Sequence, residues 1–518
     1  MKRIGTGFTN HLLENTSLIY IFLPCFLFAL GWLTPLIAIP CCFVLAFALY
    51  RAMKMLEAPP AVDESGPDPE CAPESPLLTG LRLTAILGLV VLVVVFSGIG
   101  GYGHQVNDYA MKHNSFLRDF MEFPWPVAYA SRGKSASGPL VTYFAFYLPS
   151  ALVGKALGWN AANLFSVIWS CVGLYIAVLW FLRLVGKISI GYTLLFLFFG
   201  GLDLIGWLLT HKSFFPIDRH ITLDFWLGHA AWQDPVLQAA GGDAQWYYFS
   251  NMTFLYQAVH HILPGTIIVL MCMYQATHRR SVENLALLWA AAPLGSVLVA
   301  IGMAPYVLVS MVAARCRNLW TFQNVVAGPV LLLISGLFFL SNNAQYPHGW
   351  LWQFQKASTA WIVLLLFYTI EFGAYVAVCP GRLTDPGTRP GRLWWWTAVA
   401  CLMVFPLYRL GVYNDLAAKA ALPSLLVFQV YLACTIRNAR ADHERSWARL
   451  LVFLLILGSC SALNEFSRGV GDILRPAPPP YESIRHVTEL PDQEVARQLF
   501  GDENAFFWKY LAKPLEYH

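Results

Sequence analysis

The residues able to do chemistry in this chain gather in a few polar stretches between long apolar runs. The richest is GYGHQVNDYAMKHNSFLRDFMEFPWPVAYA, in which His104, Asp108 and Lys112 stand four apart and Asp119 follows two turns further on. On a helix that spacing puts them on one face, with Asn114 and Arg118 as a neighbouring stripe. Two readings stand side by side. One is a solvated face held by ion pairs worth about 0.2–0.5 kcal/mol each. The other is a catalytic carboxylate held beside cations.

Three further stretches carry polar groups of the same kind. Asp203 lies in FFGGLDLIGW, where Gly200, Gly201 and Gly206 allow close approach of a backbone or a ligand. An acid near the membrane is expensive, so it reads either as functional or as paired with Arg or backbone donors. The loop after it holds His211, His220, Asp224, His229 and Asp234 among tryptophans. His220 and Asp224 have the spacing of a metal pair, but no third ligand completes a known pattern. In SNMTFLYQAVHHILPG, Gln257, His260 and His261 stand at helical spacing beside Asn251, ahead of Pro264 and Gly265, which loosen the backbone. A histidine here binds a phosphate or sugar hydroxyl, or simply bonds to a carbonyl. PLYRLGVYNDLAAKAALPS brings Arg409, Asn414, Asp415 and Lys419 between two apolar runs, with Asp415 and Lys419 spaced to pair. Glu371, flanked by Tyr368 and Tyr375, is one more acid inside an apolar run.

The elements that position these groups follow from composition. The chain has 518 residues, 57% hydrophobic and only 12% charged, with 19 Trp. A soluble domain is typically about 25% charged, so lipid must cover much of this surface and a water-soluble enzyme is excluded. A net charge of +4 is too small to imply nucleic acid. Runs near the roughly 20 residues that cross a bilayer fall at 18–33, 36–52, 82–99, 161–182, 190–209, 255–276, 285–298, 299–314, 322–340, 357–378, 394–410, 421–436 and 448–463. The predicted fold is therefore an all-α polytopic membrane protein of about thirteen transmembrane helices plus juxtamembrane or re-entrant helices.

Lys and Arg collect after alternate runs, and the positive-inside rule then places 100–137, 211–253, 341–356, 411–420 and the tail on the exterior. The segment 138–158 is apolar enough to span, yet a crossing there would put Arg183 and Lys187 outside, so it reads as a juxtamembrane or re-entrant helix broken near Pro149, with an ordinary span that violates the charge rule locally as the alternative. The two short runs in 285–314 must cross an even number of times. Four regions result: an N-terminal hairpin at 1–54, a disordered Pro- and Glu-rich cytoplasmic linker at 55–80, a core at 81–463, and a tail at 464–518 that folds onto the outer face.

Taken together, NDYAMKHNSFLRDF with PWPV, then GPLVTYFAFYLPSALVGK, FFGGLDLIG, SNMTFLYQAVHHILPG and YNDLAAKAALPSL, resemble bacterial members of the GT-C class of polytopic glycosyltransferases, over roughly residues 80–518. Where related sequences read Pro-Gln-His, this one has Val259-His260-His261, so His261 matches. The resemblance implies a GT-C-like fold in a bacterial inner membrane, a polyprenyl-phosphate sugar donor, a glycan or lipid-glycan acceptor, a site on the periplasmic side, and Asp108 as the catalytic acidic residue. It leaves the sugar open.

The chemistry fits those residue types. Moving a sugar from a lipid phosphate needs a carboxylate to take the acceptor proton and cations to hold the leaving phosphate. Asp108 is the candidate base, and Lys112, His113, Arg118, His261, Arg409 and Lys419 are candidates for the clamp. Asp203, Gln257, His260, Asn414 and Asp415 join them as substrate-binding candidates. A divalent cation could replace part of the clamp, and the sequence leaves that open. The cytoplasmic loops offer no Gly-rich phosphate loop, so the donor is expected to be lipid-linked rather than a nucleotide sugar. Two other classes remain: a flippase or transporter, which would line a mid-membrane path with polar groups, and a membrane acyltransferase using His260 or His261.

Overall fold

The computed structural model describes residues 2–57, 76–102, 105, 112–130, 137–202, 204–205, 248–315, 318–344, 346–354, 359–379, 389–411, 414–439, 442–471, 479–490 and 497–518. His104, Asp108, Asp203, the loop residues 206–247 and the linker residues 58–75 lie outside these ranges, as do the side chains of His260 and His261.

Apolar runs with few charges must satisfy their own backbone groups within a bilayer, and helices do so. The described chain is accordingly helical: α1 (Lys2–Trp32), α2 (Pro35–Glu57), α3 (Pro76–Phe96), α4 (Asn114–Glu122), α5 (Leu148–Leu157), α6 (Trp159–Val185), α7 (Ile190–Leu197), α8 (Asn251–Tyr274), α9 (Leu285–Gly295), α10 (Val297–Ala313), α11 (Gly328–Leu340), α12 (Thr359–Tyr368), α13 (Ala374–Val378), α14 (Arg389–Val404), α15 (Asp415–Ala420), α16 (Leu422–Asn438) and α17 (Asp442–Gly471). Among the described residues, seven helices are long and apolar enough to cross a membrane, which makes this a multi-pass membrane protein. Each run expected to span contains a helix, but length and composition qualify seven rather than thirteen.

Burial sorts these helices into layers. The α15–α16 stretch is almost wholly enclosed, whereas α2, α3 and α17 leave residues such as Phe43, Leu81 and Ile456 exposed to the surroundings. Small residues set the close contacts, as expected where lipid is the solvent. Tyr20 of α1 seats over Gly173 of α6 and stacks on Trp169 at 4.1 Å between ring centroids. Gly302 of α10 lies against the backbone oxygen of Ala420, and one turn further on Tyr306 shares a 2.8 Å hydrogen bond with Ser424. Helices α10 and α16 therefore run side by side in the same direction.

Helices α9 and α10 form a hairpin that turns at Ser296, whose hydroxyl caps α10 by accepting from the Val299 amide at 3.2 Å. The Trp289 indole ties the two arms by donating to the Ala300 carbonyl at 2.8 Å. The chain thus reverses direction between 285 and 313.

Two expectations change. In 138–158 only α5 is a helix of any length; its 10 residues span about 15 Å, too short to cross a bilayer. Pro149 does not break it. The proline sits in its first turn, where a missing amide proton costs nothing. In the run 190–209 the first helix ends at Leu197 and the chain leaves helical geometry over 198–202, with Leu204 and Ile205 helical again. The cause lies in its partners: the carbonyls of Phe196 and Phe199 accept from the Asn251 side chain and backbone, and Gly200 lies against the backbone of Gly458 in α17.

One end of the bundle gathers the basic residues that the charge pattern groups together. Glu14 is fully buried there, 2.9 Å from Arg183 and 3.3 Å from Arg279, while Arg437 donates to the Val185 carbonyl. The opposite end is capped by α4, α5 and the C-terminal tail. Strand β1 (Val127–Tyr129) pairs antiparallel with β2 (Gly138–Pro139), and β3 (His348–Trp350) pairs antiparallel with β4 (Tyr408–Leu410). The tail adds β5 (Glu516–Tyr517) parallel to β1 and bonds to the α1–α2 turn through Thr34 and Leu511, and to Val141 through Leu499.

Candidate functional site

The site is built where this capped end meets the start of α8. Helix α3 ends at Phe96, and Gly98, Gly100 and Gly101, all with positive φ, turn the chain sharply. A side chain at Gly100 would strike the Asn163 carbonyl, so the turn packs directly on α6. Beyond it, Gln105 and Asn114 form a reciprocal amide pair, with Asn114 donating at 2.9 Å and Gln105 at 3.4 Å, while Gln105 also donates to the Gly98 carbonyl at 3.0 Å. Asp108 lies outside the described residues; Gln105 and Asn114, on either side of it in the chain, are joined by this pair.

His113 precedes α4 and is buried. Its Nε2 lies 3.0 Å from the Gln257 carbonyl and so donates, which leaves Nδ1 of the neutral ring to accept from the Tyr147 hydroxyl. Directly after this carbonyl α8 departs from helical geometry, at Ala258 with φ −143° and ψ 43°. Pro264 removes an amide donor from the same helix, so the stretch bearing His260 and His261 lies between a break and a proline.

At its start α8 is tied more deeply. The buried amides of Asn251 and Gln429 pair at 2.9 and 3.2 Å, and Gln429 lies in the middle of α16. From there α8 rises to the capped end at Gln257, and past the Ala258 break it turns back toward Arg279. Gly265 then packs on Leu422. The stretches singled out by sequence thus meet in space: His113, Tyr147 and Gln257 join three of them, Phe199 and Asn251 add FFGGLDLIG, and Leu422 adds YNDLAAKAALPSL.

Helix α4 does not present the expected solvated stripe. It begins at Asn114, and Asp119 is fully buried, accepting from the Tyr129 hydroxyl, from His486 Nδ1 at 2.6 Å and from the Val487 amide at 2.9 Å. Arg118 faces the tail as well, bonding Glu122 at 3.2 Å and the Ile484 carbonyl, with its guanidinium over the Tyr481 ring at 4.9 Å. Burial would push the Glu122 carboxyl up, but hydrogen bonds from Tyr481 and Arg118 outweigh it and hold it low. The hydrogen bond to Asp119 raises His486 against the opposing effect of burial. Arg118, Asp119 and Glu122 therefore anchor the tail. Lys112 is half-buried at the edge of the same segment.

The second polar group sits on β4 and α15. Arg409 in β4 pairs in register with Gly349 of β3, and its Nε lies 3.5 Å from the Gly411 carbonyl. Gly411 and Asn414 both take positive φ, turning the chain so that Asp415 opens α15 and folds its carboxylate over Gly411. Asp415 and Lys419 pair at 2.7 Å, both partly exposed, beside Tyr346, which donates to the Gln498 carbonyl at 3.0 Å.

Glu371 is buried in a widened turn between α12 and α13, with its carboxylate against Gly201. Sequence reasoning passed over four residues that matter here: Tyr147, Tyr256, Asn464 and Glu465. The last three are fully buried. Glu465 carried a usable signal, an acid directly after the apolar run of α17.

No family model matches the chain, and no curated protein does. Among solved structures it is similar to ArnT from Cupriavidus metallidurans bound to undecaprenyl phosphate, at 12% identity over 77% of each chain with a TM-score of 0.36. The apo form of the same protein gives 12% identity, 77% of each chain and a TM-score of 0.37.

Proposed function

We propose that the protein is a membrane glycosyltransferase of the GT-C class that moves a sugar from a polyprenyl-phosphate donor to a glycan or lipid-glycan acceptor at the outer face of a bacterial inner membrane. The observation that carries this reading is the convergence at His113. One buried ring ties the segment following Asp108 to Tyr147 and to the break in α8 that precedes His260 and His261. His113 and Gln257, far apart in the chain and both singled out for their chemistry, meet there.

In this reading Asp108 takes the proton from the acceptor hydroxyl as it attacks the anomeric carbon, and the sugar–phosphate bond breaks with its electron pair leaving on the phosphate. Lys112, His261, Arg409 and Lys419 neutralise that phosphate, with Asp415 holding Lys419. Asp203, Gln257, His260 and Asn414 orient substrate. His113 and Arg118 act by position, one fixing α8 and the other fixing the tail.

The test is transfer by the purified full chain in nanodiscs, with radiolabelled polyprenyl-phosphate sugars, nucleotide sugars and acyl-CoA supplied in separate reactions. Undecaprenyl phosphate, the lipid on the ArnT structure, names the first carrier to try. Transfer from the lipid-linked sugar alone supports the reading. Acyl transfer, or movement of the lipid across the bilayer without bond cleavage, replaces it.

A further inference from the structure

A second polar cluster lies within the helices beside the convergence point. Tyr256 of α8 and Asn464 and Glu465 of α17 are each 0% exposed. Among the described residues, neither the Tyr256 hydroxyl nor either polar atom of the Asn464 amide has a hydrogen-bond partner. Buried polar groups are almost always paired, because leaving them dry and unpaired costs stability. Two such side chains lie on adjoining helices, and the Glu465 carboxyl follows Asn464 directly in the chain, so a ligand between the helices would complete them.

Its position agrees. Helix α17 packs along α8, and the Glu465 carboxylate acts electrostatically on the Tyr256 hydroxyl. Phe466, the next residue, contacts Phe96 edge-on at 5.3 Å between ring centroids and Phe198 at 5.7 Å. The cluster therefore stands between the end of α3, from which the Asp108 loop departs, and the exit of α7 that leads to Asp203.

The chemistry selects the ligand. A carboxylate accepts, and a carboxamide and a phenol each donate and accept, which matches the hydroxyls of a sugar ring. Asn464 and Glu465 belong to a helix long and apolar enough to cross a membrane, and Tyr256 to the helix packed along it. Resting on the reading of the protein as a lipid-dependent glycosyltransferase, we infer that Tyr256, Asn464 and Glu465 form the subsite that binds the hydroxyls of the donor sugar.

The experiment measures binding of undecaprenyl phosphate, bare or carrying glucose, galactose, mannose or arabinose, to the full chain in nanodiscs, together with the Tm of the ligand-free protein. Wild type should bind at least one glycosylated lipid about tenfold more tightly than the bare one. Tyr256→Phe and Asn464→Leu should each remove most of that preference, leave bare-lipid affinity unchanged and not lower the Tm, because each deletes a group that costs stability until ligand arrives. Glu465→Gln should also weaken the preference. Retention of the preference in both Tyr256→Phe and Asn464→Leu overturns the subsite, as does a fall in Tm that weakens both lipids equally. Wild-type binding of bare lipid with no preference for any sugar overturns the subsite alone, whereas failure to bind any of these lipids overturns the functional reading and the subsite with it.

Discussion

The His113 imidazole donates from Nε2 to the main-chain carbonyl of Gln257 at 3.0 Å, joining the segment that follows the Asp108 loop to the point where α8 leaves helical geometry. Because the acceptor is a backbone atom, the bond fixes the path of α8 whatever side chain stands at 257. His113→Ala removes this partner, and Tyr147 loses one as well, at about 1–3 kcal/mol for each buried group. The expected outcome is a lower Tm and a lower kcat with donor affinity nearly unchanged, and Tyr147→Phe should reproduce the kcat loss in milder form. A selective loss of donor affinity in His113→Ala, with Tm intact, would return His113 to the phosphate clamp.

Docking of the tail should depend on pH through His486. Its folded value is raised above the ordinary 6.5 by Asp119. The contribution is therefore fully present below about 6.5 and lost as pH rises through the raised value. Protease cleavage between 479 and 490 should accelerate across that range, and His486→Gln should flatten the profile. A cleavage rate that slows with rising pH would contradict the ion pair.

Gly302→Ala is predicted to be strongly destabilising. The added carbon would lie 2.0 Å from the Ala420 backbone oxygen, so α10 must move away from α15 and the start of α16. Overpacking of this kind costs about 1–3 kcal/mol. Thermal unfolding should show it, and the Asp415–Lys419 region should lose its order with it. An unchanged Tm would mean that the two helices are not in this contact.

Arg409 and Lys419 are assigned to the leaving phosphate. Arg409→Ala should weaken donor binding more than acceptor binding, and Arg409→Lys should restore only part of it, because a guanidinium grips a phosphate in two places and an ammonium in one. Asp415→Asn should be milder, since its pair with Lys419 is partly exposed and such pairs are worth about 0–1 kcal/mol. Equal losses for donor and acceptor would move Arg409 to the other side of the reaction.

Much of the architecture was legible in the sequence because its controls are local. Apolar length marked the helices, and the clustering of Arg183, Arg279 and Arg437 at one end follows from charge placement alone. The early end of α7 was not legible: it depends on Asn251 taking the Phe196 and Phe199 carbonyls, a contact between residues more than fifty positions apart. Asp119 misled for the same reason. Its spacing with Lys112 suggested a shared helix face, but its partners His486 and Val487 come from the far end of the chain. Pro149 shows a subtler limit, since a proline breaks a helix or begins one according to where the first turn falls, and spacing alone does not fix that.

The claim that this end of the bundle performs glycosyl transfer rests most heavily on Asp108. Asp108→Asn preserves size and most hydrogen bonding while removing the base, so single-turnover transfer from a polyprenyl-phosphate sugar, measured in nanodiscs beside binding of the same lipid, separates chemistry from folding. The account predicts that turnover falls roughly 10²- to 10⁴-fold with Tm and donor affinity preserved. Turnover at the wild-type rate would contradict it.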